Sequence, residues 1–389
     1  MTHAILRIVE VLAVLGVISS SLYYLLCLWA AATFLQEAMR ANAPGELRLP
    51  PVSILKPLKG ADPEMYDSFR SHCLQDYPEY EIIFGVNDPD DPAFQIVKQL
   101  QSEFSGYPIR LMVCPKLLGT NVKVSNLAQM APEARYEHLI VNDSDIRVEP
   151  DYLRRIMAPL ADSRVGLVTC LYRGIAGNTF GSCLEALGIS TDFCPSVLAA
   201  RQLEGGIRFG LGSTLAFRRA ELAKIGGFIS IADQLADDYE LGKRIADLGM
   251  NVYLSQVVVE TFLPTYGIHD FLSHQLRWAR GVRGVRGGGY VGLVFTFGIF
   301  WALLAVVASA GALWAWGAAV VVLSLRFAVA ILVGGRILRD RQAFKYVWLI
   351  PLRDLIAVGV WIASFAGRTV TWRGVRFQLK DGKLTRMLP

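Results

Sequence analysis

An α/β domain with a mostly parallel sheet, flanked by membrane-spanning helices, is the architecture this sequence predicts. Three observations carry it. Short apolar runs alternate with polar segments of helical spacing through the middle of the chain. Both ends are apolar, which lifts the hydrophobic share of the 389 residues to 53%. Two aspartates, Asp88 and Asp143, close strand candidates, where open α/β sheets form their ligand crevice.

Between Val9 and Leu35 the only charge is Glu10, enough for one spanning helix of ~20 residues. The alternative is a cleaved leader ending at Ala30-Ala31-Ala32, but the run exceeds the ~7–15 residues usual for such a core. Residues 1–40 are therefore assigned to an N-terminal span. Ala41–Pro51, bearing Pro and Gly, reads as a linker.

The expected strands are 52–58 (VSILKPL), 81–87 (EIIFGVN), 109–114 (IRLMVC), 138–143 (HLIVND) and 165–172 (VGLVTCLY). Between them MYDSFRSHCLQ and DPAFQIVKQLQSEF are amphipathic at helical spacing. This domain is expected over residues 50–286. Gly289–Gly335, within 287–336, is long enough for a helical hairpin turning near Ser309-Ala310-Gly311, interrupted only by Arg326. Val347–Ala366, within the last segment 337–389, carries Arg353 and Asp354 in its middle.

Lysine and arginine placement predicts topology. Arg40, Arg48, Lys56 and Lys59 follow the first helix, and Arg277, Arg280, Arg283 and Arg286 precede the hairpin. Arg336, Arg339, Arg341 and Lys345 follow it, and the tail adds Arg368, Arg373, Arg376, Lys380 and Lys383. All sit on the cytoplasmic side if 347–366 is re-entrant or interfacial, whereas plain hydropathy makes that segment one more span. An integral protein of a bacterial-type inner membrane, its central domain facing the cytoplasm, is the expectation. The net charge of +5 reads as attraction to anionic lipid. No basic stripe with interleaved aromatics suggests nucleic acid. Six cysteines without CxxC spacing and five scattered histidines argue against zinc and disulfides. No GxGxxG is read as opening a helix, and no GxxxxGK[ST] occurs.

Each candidate motif has an ordinary reading beside the chemical one. Asp143-Ser-Asp145 is a DxD, suited to Mg²⁺ or Mn²⁺ bridging a diphosphate, although Asp and Ser are also common turn residues. Asp237-Asp238 opens an expected helix running through YELGKRIADLG, where acids serve as caps or dipole partners; the alternative makes Asp238 a general base. Asp88 in NDPDDP is either turn chemistry, as Asp90 and Asp91 are read, or a buried acceptor for a nucleobase N–H. Lys123 is either solvated or a cation for phosphate or ribose. Arg277-Trp278 opens an Arg- and Gly-rich run that decorates an interfacial helix, yet Arg277 could fork onto a diphosphate while the indole packs on sugar. The apolar stretch Leu187–Leu215 is assigned to the acceptor side.

Taken in order, a first Asp, a DxD, an acidic pair and a QxxRW-like element resemble membrane glycosyltransferases of the GT-A, family-2 type. More narrowly, VSILKPLKG, NDPDDPA, DSDIRV, DDYELGKRIADLG and the RW element are similar to the ceramide glucosyltransferase family, from the first helix to TVTWRGVRFQL. The resemblance implies a GT-A fold, a UDP-sugar donor, a lipid acceptor and Mn²⁺ or Mg²⁺. It implies that Asp88 contacts uracil, Asp143 and Asp145 hold the metal–diphosphate, and Asp238 is the base of an inverting displacement. Asp237, Arg277, Trp278 and His274 would serve the diphosphate and acceptor. The pattern departs at His274, where the family has Gln or Arg and Gln275 is displaced by one. Bacterial hopanoid-associated glycosyltransferases are similar too, so ceramide with UDP-glucose and a hopanoid polyol with a UDP-N-acetylhexosamine both stay open. A processive polysaccharide synthase would need more spans, and a non-catalytic scaffold would need degenerate acids.

Overall fold

The computed structural model describes residues 2–40, 49–372 and 375–387. Most of the expected linker, including Arg48, and the tail residue Arg373 lie outside them. The chain divides into two compact units, one through residues 1–41, 178–202 and 265–373, the other through 42–177, 203–264 and 374–389. Residues 178–202 and 265–286, expected in the central domain, thus group with the apolar helices. The stretch 187–215 is likewise divided, beside Gly205 and Gly206, whose φ of 68° and 152° few other residues adopt.

The second unit holds the sheet. Its strands are β1 (Val52–Leu58), β2 (Tyr80–Val86), β3 (Ile109–Val113), β4 (His138–Val141), β5 (Ile146–Arg147), β6 (Val165–Ile175), β7 (Leu215–Arg218) and β8 (Asn251–Phe262). All five expected strands form, with ends moved by three residues or fewer. The order is β3-β2-β1-β4-β7-β6-β8-β5. β1 pairs in parallel with β2 and with β4, so the chain winds outward from β1 and then returns to its other side. That reversal opens a crevice beyond the carboxyl ends of β1 and β4. The sheet is mixed, because β7 runs antiparallel to β4 and β6. β1 and β2 are buried at every position, as strands covered on both faces must be. Ile54, Phe84 and Ile140 pack there with Phe69 and Tyr152 in one core.

A hairpin of Val375–Lys380 and Lys383–Arg386 also belongs to this unit. Leu235 N–H donates to Gly382 O at 3.0 Å and Leu384 N–H to Asp233 O at 2.8 Å. The tail, read from sequence as a basic appendage, therefore braces the loop that leads into Asp237.

In the first unit, Thr2–Arg40 is one helix. Among the described residues, four helices are long and apolar enough to cross a membrane: Ala4–Arg40, Phe180–Glu204, Leu313–Ile337 and Val347–Phe365. Phe180–Glu204 was not expected from sequence as a span, since its apolar run is short. Gly287–Thr296 and Gly298–Ala308 form a pair bent by 52°. The expected hairpin thus has a broken first arm, although its turn forms at Ala310 and Gly311, both at positive φ. Neighbours satisfy the backbone at the break: Trp301 Nε1 donates to Val294 O (2.7 Å) and Ser19 Oγ to Phe295 O (3.0 Å). Gly16 makes room for that indole, because a Cβ there would lie 2.1 Å from Trp301.

The charges that interrupt the apolar segments answer one another. Arg326 makes two 2.8 Å bonds to Asp354 and a 2.7 Å bond to Thr191 O. Asp340 accepts from Ser190 Oγ at 2.6 Å. The six cysteines are all buried, and none forms a disulfide.

Candidate functional site

Asp143 lies two residues beyond the end of β4, held there by Asn142. That fully buried amide donates to Tyr152 Oη (2.8 Å) and Ser213 O (2.7 Å), which pins the turn and leaves the next carboxylate free to project. From beneath, Lys56 Nζ donates to Asp143 O at 3.0 Å. Lys56 is the one charged residue in a strand buried throughout, and burial pushes its ammonium down to about 7 against the pull of Asp145 and Asp143.

The helix expected to open at the acidic pair begins at Asp237, so both acids lie within its first turn. Asp238 Oδ2 accepts Gly212 N–H at 2.7 Å, and its Oδ1 accepts Tyr239 N–H at 2.8 Å. Position 212 also lies against the DxD: a Cβ there would sit 2.7 Å from Asp143 Oδ2 and 3.3 Å from Asp238 Oδ2. The two carboxylates thus converge on one stretch of bare backbone.

Lys123 closes the group, 2.7 Å from Asp143 Oδ1 and 3.0 Å from Asp237 Oδ2. Burial opposes its charge, but Asp143, Asp237 and Asp238 outweigh burial and hold the ammonium well above its usual range. Asn121, the N-cap of Val122–Met130, sets this lysine in place and donates to Gln234 O at 2.9 Å.

Asp145 accepts from Thr261 Oγ1, and Ser144 donates to Asp62 beyond β1. Burial and then the charge of Asp143 push Asp145 up to about 6. Burial and then Asp237 do the same to Asp238, also to about 6, with Lys123 opposing. Lys56, Asp62, Asn121 and Gly212 were missed from sequence. A lone lysine in a fully apolar strand was the available signal for the first; the others are ordinary loop residues.

Asp88 stands apart from this cluster in character. Its carboxylate is exposed and accepts Asp90 N–H at 2.9 Å, so the buried acceptor expected there is not formed. The reason is the NDPDDP turn, which directs the side chain back onto its own backbone. Asp91 is the structural member: both its oxygens take Gly60 N–H at 2.9 Å while it caps Pro92–Glu103.

The fourth motif lies in the first unit, on helix Ile268–Val285. His274 Nδ1 is 2.8 Å from Glu185 Oε1, and Gln275 Oε1 accepts from Arg353 at 2.8 Å. The Trp278 ring is 5.2 Å from that of His274 and 6.2 Å from that of Phe193. Arg277 is half-buried on the same helix.

Among the described residues no group of three His, Cys, Asp or Glu side chains could hold a metal ion alone. The protein offers Asp143 and Asp145, and any cation there draws its remaining ligands from a bound substrate or water. Burial and then the charge of Asp143 press Asp145 toward its neutral form, a pressure that a bound cation would relieve.

Ceramide glucosyltransferase 3 of Caenorhabditis elegans is 24% identical over 276 residues, 71% of this chain and 60% of its own length. The chain therefore spans less than two thirds of that relative. Ceramide glucosyltransferase 1 of the same organism is 22% identical over 347 residues, 86% of this chain and 72% of the relative. Among solved structures, the mannosyltransferase PcManGT of Pyrobaculum calidifontis, in complex with GDP-Man and Mn²⁺, superposes with a TM-score of 0.52 at 17% identity. It covers 92% of this chain and 99% of its own, and shares the GT-A fold. The sequence profile of glycosyl transferase family 21 matches residues 12–385, nearly the whole chain from first helix to C-terminal hairpin. On that match the chain belongs to glycosyl transferase family 21.

Proposed function

We propose that this chain is a membrane glycosyltransferase that moves a hexose from a UDP-sugar to a lipid hydroxyl with inversion, with glucose and ceramide as donor and acceptor. The observation that carries it is the convergence of Asp143 and Asp238 on Gly212, with Lys123 between Asp143 and Asp237. The relatives named as ceramide glucosyltransferases support the lipid and sugar classes.

Asp238 is the base. Its carboxylate takes the acceptor hydroxyl proton as the new bond to the sugar's anomeric carbon forms and the bond to the phosphate oxygen breaks on the opposite face, releasing UDP. A carboxylate raised to about 6 is largely ionised at neutral pH, yet holds a proton far better than a solvated aspartate. Asp143 and Asp145 would hold Mn²⁺ or Mg²⁺, which supplies charge to the departing diphosphate. Lys123, already lodged between two acids, exchanges them for phosphate oxygens when donor binds. Asp88, exposed at the end of β2, is free to meet the uracil edge. Arg277 and Trp278, on the family pattern, serve the diphosphate and acceptor. The spans anchor the chain in an inner membrane with the sheet unit cytoplasmic, as the distribution of Lys and Arg favours.

The test is radiolabelled sugar transfer by purified full-length protein in detergent, offering UDP-glucose and UDP-N-acetylglucosamine, each with ceramide and with a hopanoid polyol, with and without Mn²⁺. Metal-dependent glucosylceramide is the expected product. N-acetylhexosamine on the hopanoid would reassign both substrates while keeping the chemistry. Transfer unaffected by metal removal would take the metal role from Asp143 and Asp145.

A further inference from the structure

Glu185 lies in Phe180–Gly188, a helix of the first unit, and is 2% exposed. A carboxylate so deeply buried persists only where its charge is answered by hydrogen bonds. Its partners come from two places in the chain. Tyr266 Oη donates to Oε2, just before helix Ile268–Val285 begins, and His274 Nδ1 lies 2.8 Å from Oε1 and 3.0 Å from Oε2, inside that helix. One group therefore holds both the entry to the helix and a position one and a half turns along it, which fixes its rotation about its own axis.

The face so fixed is the one that carries the fourth motif. His274 and Trp278 are four apart and share a helix face, with ring centroids at 5.2 Å. Trp278 in turn rests 6.2 Å from Phe193, which belongs to the chain segment that continues from Glu185. A second hold lies beside the first. Arg353 donates to Gln275 at 2.8 Å and passes over Gly188, where a Cβ would stand 2.7 Å from the guanidinium. Residues 185 and 188, one turn apart, thus present a carboxylate and a gap to residues 274 and 275. The departure from the family pattern at His274 has its physical counterpart here: an imidazole that donates through Nδ1 fits a buried carboxylate.

We propose that Glu185 is a positioning residue for the HQLRW element, acting through His274 and Tyr266 to set Arg277 and Trp278 for transfer. The role in transfer rests on the glycosyltransferase reading above; the hold on the helix does not.

The experiment uses full-length protein in detergent and the variants Glu185→Ala, Glu185→Gln, His274→Ala and Glu185→Ala/His274→Ala. Three quantities are read: kcat for sugar transfer, UDP affinity, and amide exchange of residues 274–278. Glu185→Ala is expected to lower kcat by about ten- to a hundredfold, as a misplaced group does. UDP affinity stays within about twofold, and exchange at 274–278 rises. The double variant is expected to be no worse than the poorer single one, because the two residues act as one unit. Additive losses, an unchanged kcat, or unchanged exchange would overturn the proposal. If Glu185→Ala loses UDP binding and so fails to fold, Glu185→Gln, which keeps shape and one acceptor, carries the same comparison with His274→Ala. A wild type that transfers no sugar would defeat the functional reading, while the exchange measurement would still decide the hold on the helix.

Discussion

Both units bury charge, and they settle it in opposite ways. Among the apolar helices several charges are answered at close range. Arg326 forks onto Asp354, Glu185 receives His274 and Tyr266, and Asp340 receives Ser190. In the crevice beyond β1 and β4, Asp143, Asp145, Asp237 and Asp238 crowd around two lysines, Lys56 and Lys123. Burial and then a neighbouring acid push both Asp145 and Asp238 up to about 6. A matched set of charges stabilises a structure. An unmatched set is a standing demand for a cation, a proton or a substrate, and such demand marks reactive sites.

Four measurements would break or sharpen this contrast. The largest expected effect is chemical: Asp238→Asn should lower turnover by at least about 100-fold with UDP affinity retained. Equal turnover would remove Asp238 from the base role. Next, Arg326→Met should lower stability by on the order of 3 kcal/mol, because it strands Asp354. Arg326→Met with Asp354→Leu should recover most of that loss in thermal unfolding; a double variant as unstable as the single would show that the pair is not matched as described. Third, Lys56→Met keeps volume while removing the bond to Asp143 O. It should cut kcat/KM for the donor about tenfold with Tm unchanged or higher. A falling Tm with unaltered kinetics would make Lys56 structural.

The smallest effect is a pH dependence. Asp145 binds its proton more tightly folded than unfolded, where the ordinary value is 3.8. Its contribution to stability is therefore full below about 3.8 and lost as pH rises through 6. Asp145→Asn removes that loss, so its Tm should exceed the wild type by a few degrees at pH 7.5 and match it near pH 4. The opposite trend would mean that the crevice is balanced after all.

Much of this was legible in the sequence. The strands ending before Asp88 and Asp143 are runs of apolar residues, and period and length locate such runs well. The acidic pairs stood out because acids at strand ends are dense only where something holds them. Three things were not legible. Phe180–Glu204 reads as part of the sheet domain, since its burial against other helices, rather than its composition, joins it to the spans. The break at Phe297 has no proline to announce it; the donors that permit it, Ser19 and Trp301, are partly remote in sequence. Asp91 and Asp88 look equivalent in NDPDDP, and only the contact with Gly60 separates a brace from an exposed acid.

The ion pair between Arg326 and Asp354 also imposes an order on biogenesis. The two residues are 28 positions apart, so at synthesis rates of about 5–20 residues per second the arginine precedes its partner by seconds. During that interval helix Leu313–Ile337 presents to the insertion machinery a cation that costs roughly 3 kcal/mol at mid-membrane. Of the hydrogen-bond partners named, Thr191 alone is made earlier, offering its carbonyl and its Oγ1, with the charge of Asp192 nearby. Nascent chains stopped before Asp354 should therefore hold this span in the bilayer less firmly than chains stopped just after the last helix.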